Sequence, residues 1–311
     1  MTDDAPAGFA AAEDGRPDLT DGRYLYSVVS LGDTDDELQV TGVDDEPVTV
    51  VADADGGSTL GAIVHRCDAL YDAADPRIVR QWLVQHQRVV DEATETFGTP
   101  IPFQFDTIVR GGDDAVAEWL AAERDALRTV LDDVAGANEY RIEVRRTEPI
   151  PADEFEATDG ELADLRNRID DATEGTAHLL EKQYEGKLSE RRRERDRRLA
   201  SSVRERIDGL VSRLEVLDRR PSVTLGDARN GSDAESGQSP GEGTAADEDG
   251  ETGEPVCRFA LLATDDAVDD VGSILDTVAD REGITVRFTG PWPPYSFVPS
   301  FDGADDETEG P

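Results

Sequence analysis

Few side chains in this chain are of types that do chemistry. It has three histidines, His65, His86 and His178, and two cysteines, Cys67 and Cys257. The histidines fall on separate elements. His86 lies four residues after Trp82, so on a helix the two share one face, which favours a hydrogen-bonded core histidine over a working base. The cysteines are far apart, with neither the pattern of a disulfide framework nor metal-ligand spacing, and they suit a reducing, intracellular compartment. Asp53 and Asp55 before Gly56 and Gly57 have the opening spacing of a calcium loop. The later Asp/Asn-Gly pair and the closing Glu are missing, so a solvated turn is the reading. Gly56-Gly57 and Gly111-Gly112 read as turns, no Gly-rich phosphate loop opens a helix, and no nucleophile motif accompanies a histidine. The sequence therefore predicts no catalytic residue, no cofactor and no metal.

Charge narrows the partners. The chain holds 71 acids against 31 bases, a formal net charge of -40, with lysine only at 182 and 187. Such a surface repels nucleic acid and anionic lipid. Its self-repulsion is relieved where salt shortens the Debye length, so the composition fits a salt-rich cytoplasm. One stretch is locally basic, Arg191 to Arg198. It is balanced by Glu190, Glu194 and Asp196 and reads as a solvated helix face, with an acidic partner protein as the functional alternative. No apolar run has the length of a membrane span, and the first twenty residues lack the basic start and apolar core of a signal peptide.

The elements that must position these residues read as follows. Residues 1–20 form an acidic, disordered leader. An N-terminal domain over 21–147 reads β-β-β-α-β-α-β. Its strands are Tyr24–Ser30, Val48–Val51, Leu60–His65, Phe103–Val109 and Glu139–Arg145. Its first helix follows Asp75-Pro76 with an apolar stripe through Ile78, Trp82, Val89, Val90 and Phe97 and stops at Gly98. Its second runs from Asp113 to Val134. This predicts an α+β fold of two domains, the first a ferredoxin-like layer with helices on one face of a largely antiparallel sheet. A linker covers 148–160. Residues 161–225 carry apolar steps of three and four, Leu162, Leu165, Ile169, Ala172, Thr176, Leu179 and then Leu199, Val203, Ile207, Leu210, Leu214, Leu217. That predicts long, nearly continuous helix, ended by Pro221 with a short strand to Leu225. Residues 226–255 are an acidic Gly/Ser-rich disordered insert. A β-α-β unit and a proline–aromatic segment over 256–298 complete the C-terminal domain, its long helices packed on a small sheet, and 299–311 is an acidic tail.

The proline–aromatic segment, Gly290-Pro-Trp-Pro-Pro-Tyr-Ser-Phe297, is the distinctive one. Pro291, Pro293 and Pro294 fix φ and press their predecessors into extended geometry, giving a stiff backbone that carries Trp292, Tyr295 and Phe297. Such a segment can display aromatics at low entropic cost, or cap its own domain's core.

Coming directly after a β-α-β unit, this segment closely resembles the C-terminal signature of the gas vesicle protein F/L family. Tyr24-Leu-Tyr-Ser-Val-Val29 is similar to that family's opening strand, and Val84-Gln-His-Gln-Arg-Val-Val90 to its histidine-bearing helix. Pro100-Ile-Pro-Phe-Gln-Phe-Asp-Thr-Ile-Val109 resembles its Leu-Pro-x-Arg-Phe-Gly-Thr segment, with Gln104 in place of the usual Arg and Asp106 in place of the usual Gly. The resemblance spans roughly 22–225 and 256–298. It implies a non-enzymatic accessory or minor structural protein of gas vesicle assembly, more of the L type than the F type. Its expected partners are other gas vesicle proteins, including the shell protein, in the cytoplasm at gas vesicles. An enzyme with a scattered site around His86, or a helical scaffold dimerising through residues 160–220, are the alternatives that the residues leave open.

Overall fold

The computed structural model describes residues 19, 21–32, 38–53, 60–217 and 253–299. The turn at 54–57, the strand at 221–225, the tail from 300 and most of the leader and insert lie outside the described residues; Leu19 of the expected disordered leader is buried in a core, and the end of the expected insert is strand from Glu254. Contacts divide the chain into two compact units, one formed by Met1–Glu139 with Gly290–Pro311 and the other by Tyr140–Thr289.

The first unit runs β1 (Gly22–Ser30), β2 (Thr49–Ala52), β3 (Leu60–Cys67), α1 (Pro76–Phe97), β4 (Ile101–Pro102), β5 (Ile108–Val109), α2 (Gly112–Ala122) and α3 (Arg124–Val134). Its strand order is β2-β3-β1-β4, with β5 also on β1, and these pairs are antiparallel. The register runs from Gly22 opposite Cys67 to Ser30 opposite Leu60, shifting between Leu25 and Ser27. Helices cover both faces of this sheet, not one. Tyr24, Tyr26 and Ile63 pack with Trp82, Val89, Val90 and Ala93 of α1. Leu25, Val28, Ala62 and Val64 pack with Val116, Trp119, Leu120, Leu127 and Leu131 of α2 and α3. The almost unbroken apolar run of β1 is what a strand buried on both faces requires. Asp75 caps α1 through Oδ1, which accepts from the Arg77 N–H at 2.9 Å, and Gly98 ends the helix at φ 86°. The expected single helix from 113 to 134 is two, divided at Glu123 (φ -93°, ψ 9°), where no Gly or Pro marks the break. The expected strand 103–109 is broken in its middle: the Phe103 N–H donates to the Tyr26 carbonyl at 2.9 Å, and pairing with β1 resumes at Ile108–Val109. Asp106 sits at φ 68°, in the left-handed region, and interrupts it.

The second unit contains β6 (Asn138–Arg146), α4 (Ala152–Glu156), α5 (Gly160–Asp170), α6 (Glu174–Asp208), β7 (Arg213–Val216), β8 (Glu254–Ala263), α7 (Asp265–Ala279) and β9 (Ile284–Trp292). The sheet order is β7-β8-β6-β9. The strand expected to close the first domain, β6, is a central strand of this sheet instead, and α7 links β8 to β9 across it. One core joins Tyr140, Ile142 and Val144 of β6 to Leu199, Val203 and Ile207 of α6 and Val271, Leu275 and Val278 of α7. A second joins Ile150, Phe155, Leu162 and Leu165 to Leu180, Tyr184 and Leu188. The expected linker at 148–160 therefore holds a short helix and two buried anchors.

One helix of 35 residues, α6, spans both cores, about 52 Å at 1.5 Å per residue. The chain leaves helix at Asp171–Thr173, so the apolar phase of α5 does not carry over. Leu179, expected in the stripe, is 60% exposed and Leu180 is buried in its place. The last expected heptads are not helix either. The helix stops at Asp208 with Gly209 as its cap, and Leu214 packs from strand β7.

Candidate functional site

Of the residues singled out for possible chemistry, His65, His86 and Cys67 come together in the first unit, in a filled core, whereas His178 and Cys257 lie in the second unit. Strand β1 projects Tyr24 and Tyr26 from one face, β3 adds His65 and α1 adds His86. Tyr71, Phe105 and Trp82 close around them with ring centroids 4.8 to 6.2 Å apart. Tyr24, Tyr26 and His65 are 0% exposed and His86 is 4% exposed.

Donor and acceptor counts settle the ring states. The Val43 N–H donates to the Tyr26 hydroxyl at 2.7 Å, so that hydroxyl gives its own proton to His65 Nδ1 at 2.7 Å, and His65 Nε2–H donates to the Tyr71 oxygen at 2.8 Å. In parallel, the Asp106 N–H donates to the Tyr24 oxygen at 3.1 Å, and the Tyr24 hydroxyl donates to His86 Nδ1 at 2.9 Å. His86 Nε2–H then donates to the Phe103 carbonyl at 3.1 Å. Both rings are neutral, each in one tautomer. Burial is the first cause that lowers both histidines to about 4. The neighbouring His86 lowers His65 further, Asp44 opposes that, and the Phe103 carbonyl opposes the shift of His86. Burial also raises Tyr24, Tyr26 and Tyr71 far above the usual phenol range. It pushes the Cys67 thiol up to about 11, with Asp106 and Asp68 adding to it. At neutral pH the cluster thus offers neither a charged base nor a thiolate. His178 stands apart, exposed, 3.9 Å from Glu181.

Two backbone devices hold the cluster. Asp106, at the left-handed position, receives the Tyr71 N–H on Oδ1 at 3.1 Å while its own N–H serves Tyr24. Aspartate is among the residues that tolerate this conformation after glycine. Gly42 lies under the Tyr26 hydroxyl, where a Cβ would collide with Tyr26 and come within 3.1 Å of His65 Nδ1. Replacing Gly42 by Ala is therefore expected to destabilise the first unit by about 1–3 kcal/mol through overpacking. Chemical denaturation checks it; a loss below about 0.5 kcal/mol would show that the contact relaxes freely.

The proline–aromatic segment divides in two. Pro291 and Trp292, at the end of β9, are exposed, Trp292 by 42%. Pro293, Pro294 and Phe297 are buried, and Tyr295 is half-buried. Tyr295–Phe297 form a 3-10 turn that belongs to the first unit, although the sequence reading grouped it with the C-terminal domain. The Tyr295 hydroxyl lies 3.3 Å from His86 Nε2 and 3.5 Å from Gln87 Oε1. Ser296 donates its N–H and its hydroxyl to the two oxygens of Glu139 at 2.7 and 2.9 Å, and Glu139 is 0% exposed. Sequence reasoning missed Glu139 and the tyrosines as partners of the histidines. The Tyr-x-Tyr alternation on β1 was the available signal, since it places both rings on one face.

In the second unit most of the arginine run is bound internally, while Arg193 and Arg197 are exposed. Arg191 pairs with Asp159 at 2.6 Å and Glu194 at 3.1 Å, and Arg195 pairs with Glu154 at 2.7 Å while lying over the Phe155 ring. Arg192 donates to the Ile150 carbonyl, Arg198 pairs with Glu194, and Asp196 binds Arg146. These bonds clamp α4 and α5 onto α6. Among the described residues no group of three or more His, Cys, Asp or Glu is placed to hold a metal ion, and no helix is long and apolar enough to cross a membrane.

The molecule is thus a mixed α/β protein of two units, each with its own sheet, with His65, His86 and Cys67 taken up in the packing of the first. Residues 22–299 match the family described as "Gas vesicle synthesis protein GvpL/GvpF", and the chain belongs to that family. It is 40% identical over 299 residues to gas vesicle protein L2 of Halobacterium salinarum, covering 93% of this chain and 95% of that one. It is 33% identical over 310 residues to gas vesicle protein L of Haloferax mediterranei, covering 90% and 88%. The crystal structure of GvpF from Anabaena sp. PCC7120 superposes with a TM-score of 0.60 at 16% identity, over 89% of this chain and 98% of that one, which speaks to the fold.

Proposed function

We propose that this protein is a non-enzymatic accessory or minor structural component of gas vesicle assembly. It acts through contacts with other gas vesicle proteins, the shell protein among them, in the cytoplasm at gas vesicles. Membership of the GvpL/GvpF family over nearly the whole chain carries this reading. The packed surroundings of His65 and His86 favour it over an enzyme, because a catalytic base needs room for a substrate and a pKa near its working pH. In a salt-rich cytoplasm exposed ion pairs are screened, so apolar and aromatic contacts carry most of the binding.

Within the proline–aromatic segment, Trp292 and Pro291 are the contact candidates, while Pro293, Pro294, Tyr295 and Phe297 serve the core. Trp292→Ala is expected to change stability by no more than about 0.5 kcal/mol. As a contact anchor it should cost about tenfold or more in co-purification with other gas vesicle proteins in molar salt. Unchanged recovery of those proteins would remove Trp292 from the interface. The broader reading fails if the wild-type chain retains none of them across a salt series and vesicles form normally in its absence.

A further inference from the structure

Helix α1 carries an outer face that lacks acid over most of its length. Acids make up 71 of 311 residues, yet none occurs from Pro76 to Val90. Arg77, Arg80, Gln81, Val84 and Arg88 are exposed there, and at 100° per residue they fall within an arc of about 100°. Two further exposed residues, Asp91 and Glu95, continue the same stripe toward the C-terminus. The order of charge along the helix is thus basic, then apolar, then basic, then acidic. It runs against the helix dipole, which prefers acids at the N-terminus and bases at the C-terminus. Within α1, Asp91 accepts a hydrogen bond from Gln87 Nε2 at 2.8 Å, but the bases of the stripe gain no such partner. Among the described residues Arg77, Arg80, Arg88 and Glu95 make no ion pair, and Val84 is 54% exposed.

The stripe is complementary to itself when reversed. About a centre at residue 86, Arg77 faces Glu95, Arg80 and Gln81 face Asp91, and Val84 meets the aliphatic stem of Arg88. We propose that this face is a docking surface for a second copy of the chain, with two α1 helices packed antiparallel about a two-fold axis. A two-fold interface brings the same patch from both copies together and forms each pairing twice, as this pattern requires. It also resolves an electrostatic difficulty. Two bodies of net charge -40 repel almost everywhere, and the carboxylate-free run of α1 is a place where they can touch. Salt screens the long-range repulsion more than close pairs, so the dimer strengthens as salt rises from low to molar concentration.

The full chain is tested by sedimentation over a protein dilution series in molar potassium chloride. Arg77→Glu weakens the dimer about threefold, since two equivalent pairs, each partly screened, become repulsive. Glu95→Arg does the same. The double variant R77E/E95R restores wild-type dimerisation, because each new glutamate meets the new arginine of the other copy. Within one helix the two positions are about 27 Å apart, so rescue cannot arise inside a single chain. Arg77→Glu places an acid in the first helical turn and leaves helicity by circular dichroism intact or raised. A chain that is monomeric throughout the series, or a double variant that stays as weak as the singles, overturns the proposal. So does a dimer indifferent to both single changes. The measurement needs no vesicle protein, so its outcome is separate from that of the assembly role.

Discussion

Replacing Phe297 by Ala will lower the stability of the first unit by about 3–5 kcal/mol, the cost of a buried aromatic ring and the cavity it leaves. Phe297 is 3% exposed. The turn that presents it is fixed by Glu139, whose two carboxylate oxygens take the Ser296 N–H and hydroxyl. Glu139→Ala should also be costly, about 1–3 kcal/mol for the stranded buried donor, whereas Ser296→Ala keeps the backbone bond and should cost less. The buried tryptophans, Trp82 and Trp119, both belong to the first unit, while Trp292 ends β9 and is exposed. Tryptophan fluorescence of a Trp292→Phe background during denaturation therefore follows the first unit. A Phe297→Ala loss under about 1 kcal/mol would mean that residues 295–297 rest on the unit without completing its core.

The second large effect is loss of stability in mild acid. His65 and His86 are held at about 4 in the folded chain, against about 6.5 when unfolded. The unfolded chain then binds more protons, so stability is whole above about pH 6.5 and falls as pH drops toward 4. Each histidine adds a slope of about 1.4 kcal/mol per pH unit, about 2.7 for the pair over the central part of that window. Burial raises Asp106 from its ordinary value, so its protonation opposes the loss as pH falls. Molar salt screens the general carboxylate repulsion and isolates the histidines. A variant with Gln at 65 and 86 loses baseline stability but should show a nearly flat profile between pH 6.5 and 5. An unchanged slope in that variant would assign the acid lability elsewhere.

Local signals carried α1 almost entirely: a proline after a capping aspartate, a 3.6-residue apolar stripe and a terminal glycine all agree in the structure. The buried, hydrogen-bonded character of His86 was legible too, from its spacing to Trp82. What escaped depended on partners distant in sequence. Nothing within Asn138–Arg146 says which sheet it will join, and its alternation is satisfied by either. The phase slip that buries Leu180 in place of Leu179 follows from a three-residue break at Asp171–Thr173 with no glycine or proline in it. The tyrosine–histidine chains were out of reach because each links residues 39 or 62 positions apart. Asp106 is the instructive case. Where the resemblance leads one to expect glycine, this chain has an aspartate at φ 68° that answers Tyr71 with its carboxylate, so the departure keeps the backbone turn and adds a bond.

The first unit is assembled from the two ends of the chain, interrupted between Glu139 and Gly290. On a ribosome this inverts the usual order of events. The sheet and helices of the first unit emerge early but lack Tyr295–Phe297 until some 150 further residues have been made. That is a wait of about 8–30 seconds at about 5–20 residues per second. The second unit, contiguous in sequence, has all its residues in hand first. A nascent or prematurely terminated chain therefore carries a first unit without Phe297 in its core, so the early half is completed only when the polypeptide is.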